Sequence, residues 1–221
     1  MLRLVCEARP RELDLGSVSH EHASGELSRI QRRLEQIYQL EPAPCILPFV
    51  RVDADDSREQ LIVRQSVDDL ELVVLLPQAS VRALAANDRH GEMDAYLGGI
   101  EGISHFLHLA ERARTQLPTT LLELELQAEV DKFTILADAA LADAVTPAGE
   151  LQSLHRRLYE DVRYLHAAAT ERGDRYRLAN DLAARLWSQL LAQGRDDWTL
   201  DVLRRFYRVG QAEKIRMVQA A

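Results

Sequence analysis

Cysteine, lysine and aromatic residues are scarce in this chain of 221 residues. The two cysteines, Cys6 and Cys45, stand far apart and form no CxxC pair, which excludes a dense disulfide framework and a cysteine-based zinc site. They are expected to stay reduced in a cytoplasm. Of the 27 basic residues only Lys132 and Lys214 are lysine, a usage that we interpret as that of a high-GC bacterium.

Long apolar runs are also missing, so no segment approaches the roughly 18 residues of a membrane span. The opening MLRLVCEARPRELD turns charged too soon for a signal peptide, and none is expected. The net charge of −8 disfavours nucleic acid as a partner, because a polyanion is attracted by a basic surface. No GxSxG, Walker-type, GxGxxG or HExxH motif occurs, so no familiar catalytic class is indicated.

The pattern of apolar residues predicts a helix-rich α+β protein. The runs PFVRVD, EQLIVRQS and DLELVVLLP favour three strands of an antiparallel meander, the third of them most covered, with MLRLVCE as a further short strand. Helical spacing predicts helices at about 26–40, 78–86, 94–115, 119–144, 150–171, 174–193, 198–208 and 211–219, whereas DLGSVSHEHASG is turn-like. We expect one compact unit of residues 1–221, in which a sheet-containing portion, 1–90, packs against an all-helical bundle, 91–221.

Charge is unevenly distributed along the chain. Residues 91–150 have a net charge of −8, and residues 151–221 have a net charge of +4. Such complementarity predicts that the two segments face each other, within one chain or between subunits. We expect most of it to be satisfied within one chain, with a homodimer possible.

The stretch YLGGIEGISHFLHLAER places Glu101, His105, His108 and Arg112 on one side of a helix. Imidazole and carboxylate groups at this spacing suit a metal or proton-transfer site, but a solvated polar face has the same pattern. We favour the polar face, with His105 bonded to a carboxylate and His108 more exposed, and expect neither a bound metal nor another cofactor.

The segment LLELELQAEVDKF has apolar residues on two sides of a helix, with Glu125, Glu129 and Lys132 between them. Two hypotheses follow. The charges form a structural network, with Glu129 paired to Lys132 or to a C-terminal arginine, or they line a polar pocket between the 94–115 and 119–144 helices. Glu123 falls on the polar arc and is expected to be solvated. A strand over 121–126 is an alternative, because LLELEL alternates strictly.

Arginine, tyrosine and asparagine cluster near the end of the sequence, in GDRYRLANDLAARLW and LRRFYRVGQAEKIR. Guanidinium and phenol groups suit anions or a partner surface, and they equally suit caps and ion pairs. The candidate contacts are Arg175, Tyr176, Asn180, Arg204, Arg205, Tyr207 and Arg208.

These features lead to two expectations of function. The first is a bacterial cytoplasmic protein without catalytic activity that binds a protein partner or self-associates, away from membranes. The alternative is an enzyme or a protein that binds a small ligand or metal in the polar pocket. The first is favoured, because no catalytic spacing in the chain is specific.

Overall fold

The computed structural model describes residues 3–5, 17–53, 58–65, 69–142, 149–193 and 197–219. These ranges form a fold with four strands and eight α-helices. It is a helix-rich α+β fold, as the pattern of apolar residues predicted. The strands are β1 (Arg3–Val5), β2 (Val50–Asp53), β3 (Gln60–Gln65) and β4 (Asp69–Pro77). The helices are α1 (Ser17–Tyr38), α2 (Gln78–Ala86), α3 (Met93–Thr115), α4 (Leu121–Ala142), α5 (Glu150–Tyr159), α6 (Glu171–Gln193), α7 (Asp197–Arg208) and α8 (Gln211–Gln219).

The sheet is mixed, and the predicted meander is wrong. Strand β4 lies at its centre, antiparallel to β3 and parallel to both β1 and β2. β3 and β4 are neighbours in sequence, so they pair as a hairpin. β2 instead pairs in parallel with the second half of β4, a register that local alternation of apolar residues cannot reveal. The third run was predicted to be the most covered strand, and this is confirmed, because Leu72, Val74 and Leu76 of β4 are fully buried.

Helix α1 begins at Ser17, so the turn predicted over SVSHEHASG is wrong. Ala23 is buried together with Leu27, Ile30 and Leu34, and this extends the apolar stripe one turn earlier than expected. Gly25, which suggested a turn, lies on the exposed side, where an added Cβ would have nothing within 4 Å, so it interrupts no packing.

Two glycines set the packing of α3. A Cβ at Gly99 would lie 2.7 Å from Leu84 of α2, and a Cβ at Gly102 would lie 2.8 Å from Val74 of β4. Neither distance is possible between real side chains, so α3 approaches α2 and the sheet closely because these positions carry none.

Helix α4 is buried on almost every side, and this overturns two expectations. Glu123, placed on a solvated arc by the sequence, is only 2% exposed. The strand suggested for 121–126 is helix from Leu121 onward. Phe133 lies with its ring centre 4.3 Å from that of Trp187 of α6, which shows how tightly the neighbouring helix covers α4.

Helix α5 ends at Tyr159, well before the predicted 171. The amide of Asn180 donates to the carbonyl of Leu158 and so satisfies one of the carbonyls left open at this helix end. Arg177 then donates to the carbonyl of His166, which holds the segment before α6 in a non-helical path.

Contacts group the chain into two compact units. Unit 1 is Met1–Gln36 with Leu40–Pro118, and unit 2 is Ile37–Gln39 with Thr119–Ala221. That residues 1–221 form one compact body, with a boundary near residue 90, stays a prediction. Among the described residues no helix has the length and apolar character needed to cross a membrane. Cys45 is free and exposed, whereas Cys6 lies outside the described residues.

Candidate functional site

The histidines of α3 are buried, which corrects the solvated face expected for them. His108 is 1% exposed and His105 is 6% exposed, so the expected order of the two is also reversed. Arg112 is buried beside them and donates from Nε to His108 Nε2 at 3.3 Å. The arginine is a donor only, so Nε2 of His108 accepts and its proton lies on Nδ1. This stripe looked polar in sequence, but it is covered.

His105 meets a carboxylate, as expected, but one that the sequence did not indicate. Its Nδ1 lies 3.3 Å from Glu59 Oε1, with both side chains buried. Glu101, one turn before His105, completes a group in which one ligand atom of each residue lies within 4.8 Å of the others. All three belong to unit 1. Glu59 stands 46 positions before His105, and only the approach of β3 to α3 brings it there.

The charged residues of α4 belong to unit 2, and here the structural network is found. Lys132 Nζ donates to Glu129 Oε1 at 2.9 Å, so the pairing predicted for Glu129 is confirmed. Glu125 lies 3.9 Å from Arg175 Nε of α6. The six candidate pocket residues are therefore divided, with Glu101, His105 and His108 in unit 1 and Glu125, Glu129 and Lys132 in unit 2. The pocket predicted between their helices stays a prediction.

The candidate anion contacts on α6 are engaged in internal bonds. Asn180 accepts from the Tyr164 hydroxyl at 2.9 Å as well as donating to Leu158. Tyr176 stacks on His166, and Arg175 also lies 3.5 Å from Glu171. These side chains organise the start of α6.

The candidate contacts on α7 cap another helix. Arg204 donates to the Ile37 carbonyl at 3.0 Å, and Arg208 donates to the carbonyls of Tyr38 and Gln39 at 2.9 and 3.2 Å. Helix α1 has no basic residue in its last turn, so these guanidinium groups supply the positive charge that a helix C-terminus favours. Arg205 pairs with Glu213, and Tyr207 stacks on Tyr38 with ring centres 4.4 Å apart.

A buried polar chain in unit 2 was missed by the sequence analysis. Lys214 Nζ donates to Gln127 Oε1 at 2.6 Å, Gln127 Nε2 donates to Asp131 at 2.9 Å, and the Tyr38 hydroxyl donates to the same carboxylate oxygen at 2.5 Å. Burial, together with the charge of Asp131, raises the pKa of Tyr38 well above its usual value, so this phenol stays a donor. The sequence feature that could have indicated this buried polar chain is Lys214 itself, because lysine is rare in this protein.

One arrangement in unit 2 has the outline of a hydrolase triad. Ser188 Oγ lies 3.0 Å from His155 Nε2, and His155 Nδ1 lies 3.7 Å from Glu160. However, the same Nε2 lies 3.0 Å from the Ala184 carbonyl, which can only accept, so Nε2 carries a proton. A protonated Nε2 cannot take the hydroxyl proton of Ser188, and the group is best explained as a helix-to-helix bond.

Comparison with protein-family models, with curated proteins and with solved structures finds no match for this chain.

Proposed function

We propose that this chain is a non-catalytic, cytoplasmic assembly protein of a bacterium, and that it pairs with a second copy of itself along strand β3. The observation that carries the proposal is the exposure of β3. Ile62 is 49% exposed and Val63 is 45% exposed, and within the described strands β3 pairs with β4 alone.

The exposure concerns both faces of the sheet. Successive side chains of a strand point to opposite faces, so half-exposed Ile62 and Val63 mean that neither face of β3 is well covered at its middle. An edge strand also offers backbone donors and acceptors to another strand. Soluble proteins commonly protect such edges with lysine or proline, and β3, whose sequence is QLIVRQ, contains neither.

The charge of β3 is compatible with self-pairing. Arg64, its one charged residue, lies 3.2 Å from Glu71 of the neighbouring strand and is balanced within the hairpin. A two-fold axis through the middle of β3 would place Ile62 opposite Ile62 of the partner subunit. The same axis would place Leu61 opposite Val63 of the partner subunit. In that register Arg64 faces Gln60 of the partner subunit, so no like charges are opposed.

The contacts made by the candidate site residues of unit 2 are also consistent with an assembly protein. In the described residues the candidate catalytic and anion-binding groups of unit 2 are bonded within the fold, so they support a scaffold more than a reaction centre. A strand-to-strand contact buries little area, and the dimer is expected to be weak and dependent on concentration.

Sedimentation velocity over a range of protein concentrations tests the proposal. The wild type is expected to shift from monomer to dimer as concentration rises, whereas Ile62→Lys, which sets two ammonium groups opposite each other, is expected to stay monomeric. Leu178→Lys is the matched control, because Leu178 is a similarly exposed aliphatic residue, 45% exposed, on α6 of unit 2. A wild type that is monomeric throughout, or an Ile62→Lys variant that dimerises as the wild type does, contradicts it.

A further inference from the structure

We propose that Glu59, Glu101 and His105 bind one divalent transition-metal cation. Within the described residues these three side chains form a group whose ligand atoms, one from each residue, all lie within 4.8 Å of one another. They come from two different elements of unit 1, the segment before β3 and the middle of α3. The expectation of no metal, drawn from the α3 stripe alone, did not include Glu59.

The backbone of α3 allows these three side chains to lie close together. Glu101 and His105 lie one turn apart on α3, so their side chains share one face of the helix. Between them in sequence is Gly102, where a Cβ would lie 3.2 Å from Glu59 Cγ and 2.8 Å from Val74 Cγ1. The missing side chain of Gly102 therefore leaves the space in which the stem of Glu59 lies against the helix.

The distance between His105 and Glu59 fits two ligands of one metal ion at least as well as it fits a hydrogen bond. His105 Nδ1 and Glu59 Oε1 are 3.3 Å apart, which is long for a hydrogen bond between an imidazole and a carboxylate. In a tetrahedral site with metal bonds of about 2.0–2.1 Å, two ligand atoms are about 3.3–3.4 Å apart. The Glu101 side chain is partly exposed, and its ligand atom lies within 4.8 Å of those of Glu59 and His105.

Charge favours a divalent ion. The side chains of Glu59 and His105 are 5% and 8% exposed, so water screens the Glu59 carboxylate poorly, and Glu101 adds a second carboxylate to the group. A proton on His105 would offset one negative charge, whereas a divalent cation offsets two. One imidazole nitrogen and two carboxylate oxygens are the donor set of Zn²⁺, Mn²⁺ or Fe²⁺, since Mg²⁺ and Ca²⁺ prefer oxygen alone.

Three protein ligands leave at least one coordination position for water or a small anion. The inference does not depend on self-association through β3, because Ile62 and Val63 take no part in the group. It assigns unit 1 a site for a metal ion, and it is tested by binding alone.

Isothermal titration of the untagged, chelator-stripped protein with zinc sulfate, and separately with manganese chloride, tests the site. The wild type is expected to bind one cation per chain. Glu101→Gln, Glu59→Gln and His105→Gln are expected to raise the dissociation constant by at least about tenfold, the size of effect that even loss of an outer partner has at metal sites. His90→Gln is the control, since His90 is an exposed histidine of the same unit.

A second readout keeps the test decisive if His105→Gln or Glu59→Gln unfolds. Cobalt(II) added to the wild type should give a visible absorption band that zinc removes, and the partly exposed Glu101→Gln, its fold checked by circular dichroism, should weaken that band. Less than stoichiometric binding by the wild type overturns the proposal. So does unchanged affinity in folded Glu101→Gln, or loss of binding in His90→Gln, which would mean an adventitious ion on the surface only.

Discussion

Glu129 and Lys132 are the pair for which single substitutions are most informative. Their side chains are 14% and 10% exposed, so their contact, at 2.9 Å, is only partly screened by water. We expect Glu129→Ala to lower the free energy of unfolding by about 1–3 kcal/mol, less than the loss of a partner in a fully buried pair. Urea denaturation measures it.

The control for this prediction is a second substitution at Lys132, the partner of Glu129. Glu129→Ala combined with Lys132→Met removes both charges and is expected to be more stable than Glu129→Ala alone, because no ammonium group then loses its carboxylate. A double variant that is less stable than the single one would show that Lys132 is held chiefly by other contacts.

The raised pKa of the Tyr96 hydroxyl predicts that the protein loses stability in alkali. Burial, followed by the hydrogen bond from its hydroxyl to Glu26, raises the pKa of Tyr96 to about 12, whereas an unfolded tyrosine has a pKa of about 10. The folded-state pKa is the higher one. Stability is therefore complete below about pH 10 and falls as the pH rises towards about 12, by at most about 1.4 kcal/mol per pH unit for each such tyrosine.

Tyr96→Phe should consequently lose less stability than the wild type between those two pH values. A slope remains, because burial also raises the pKa of Tyr38 and Tyr159. Urea denaturation followed by circular dichroism at several alkaline pH values measures both slopes. Identical slopes would mean that the Tyr96 hydroxyl ionises as readily in the folded chain as in the unfolded one.

At the same scale, sequence reasoning found Glu101, His105 and the Glu129–Lys132 pair because each depends on spacing within one helix. It missed Glu59 and the contact of Lys214 with Gln127, since these join positions 46 and 87 residues apart. It also placed His108 in solvent. Helical periodicity shows which side of a helix is polar, but it does not show whether another element covers that side.

The end of α1 is the element whose stability depends most clearly on another helix. Arg204 donates to the carbonyl of Ile37, and Arg208 donates to those of Tyr38 and of Gln39, the residue after α1. Arg208→Ala is expected to cost about 1–2 kcal/mol, because a partly buried bond from a charged donor to the Tyr38 carbonyl is lost together with an exposed one to Gln39. Thermal or chemical denaturation of the variant measures the loss.

Arg205→Ala supplies the comparison on the same helix. Arg205 is exposed and pairs with Glu213 at 3.0 Å, so its loss should cost under about 0.5 kcal/mol. Equal losses in the two variants would show that the caps on α1 contribute no more than a surface ion pair.

Elements with strong local signals were predicted well. The bounds of α2 and α8 agree with the predicted ranges, and α3, α6 and α7 differ by a few residues at their starts. Two of the errors have long-range causes. The parallel pairing of β2 with β4 depends on how the chain crosses over, and the early end of α5 depends on the side chain of Asn180, which is distant in sequence.

At the scale of the whole molecule, net charge sets the conditions for self-association. Two chains of charge −8 repel each other, and this repulsion is screened as salt is added. Pairing along β3 uses backbone bonds and aliphatic contacts, which added salt does not screen. Pairing of the acidic segment 91–150 of one chain with the basic segment 151–221 of another would have the opposite dependence on salt.

Light scattering of the wild type at low and high salt, at matched protein concentrations, therefore tests strand-mediated self-association most directly. The dissociation constant of the dimer is expected to be unchanged or lower at high salt. A species that is oligomeric at low salt and monomeric at high salt would contradict pairing along β3 and would assign the association to charges between chains.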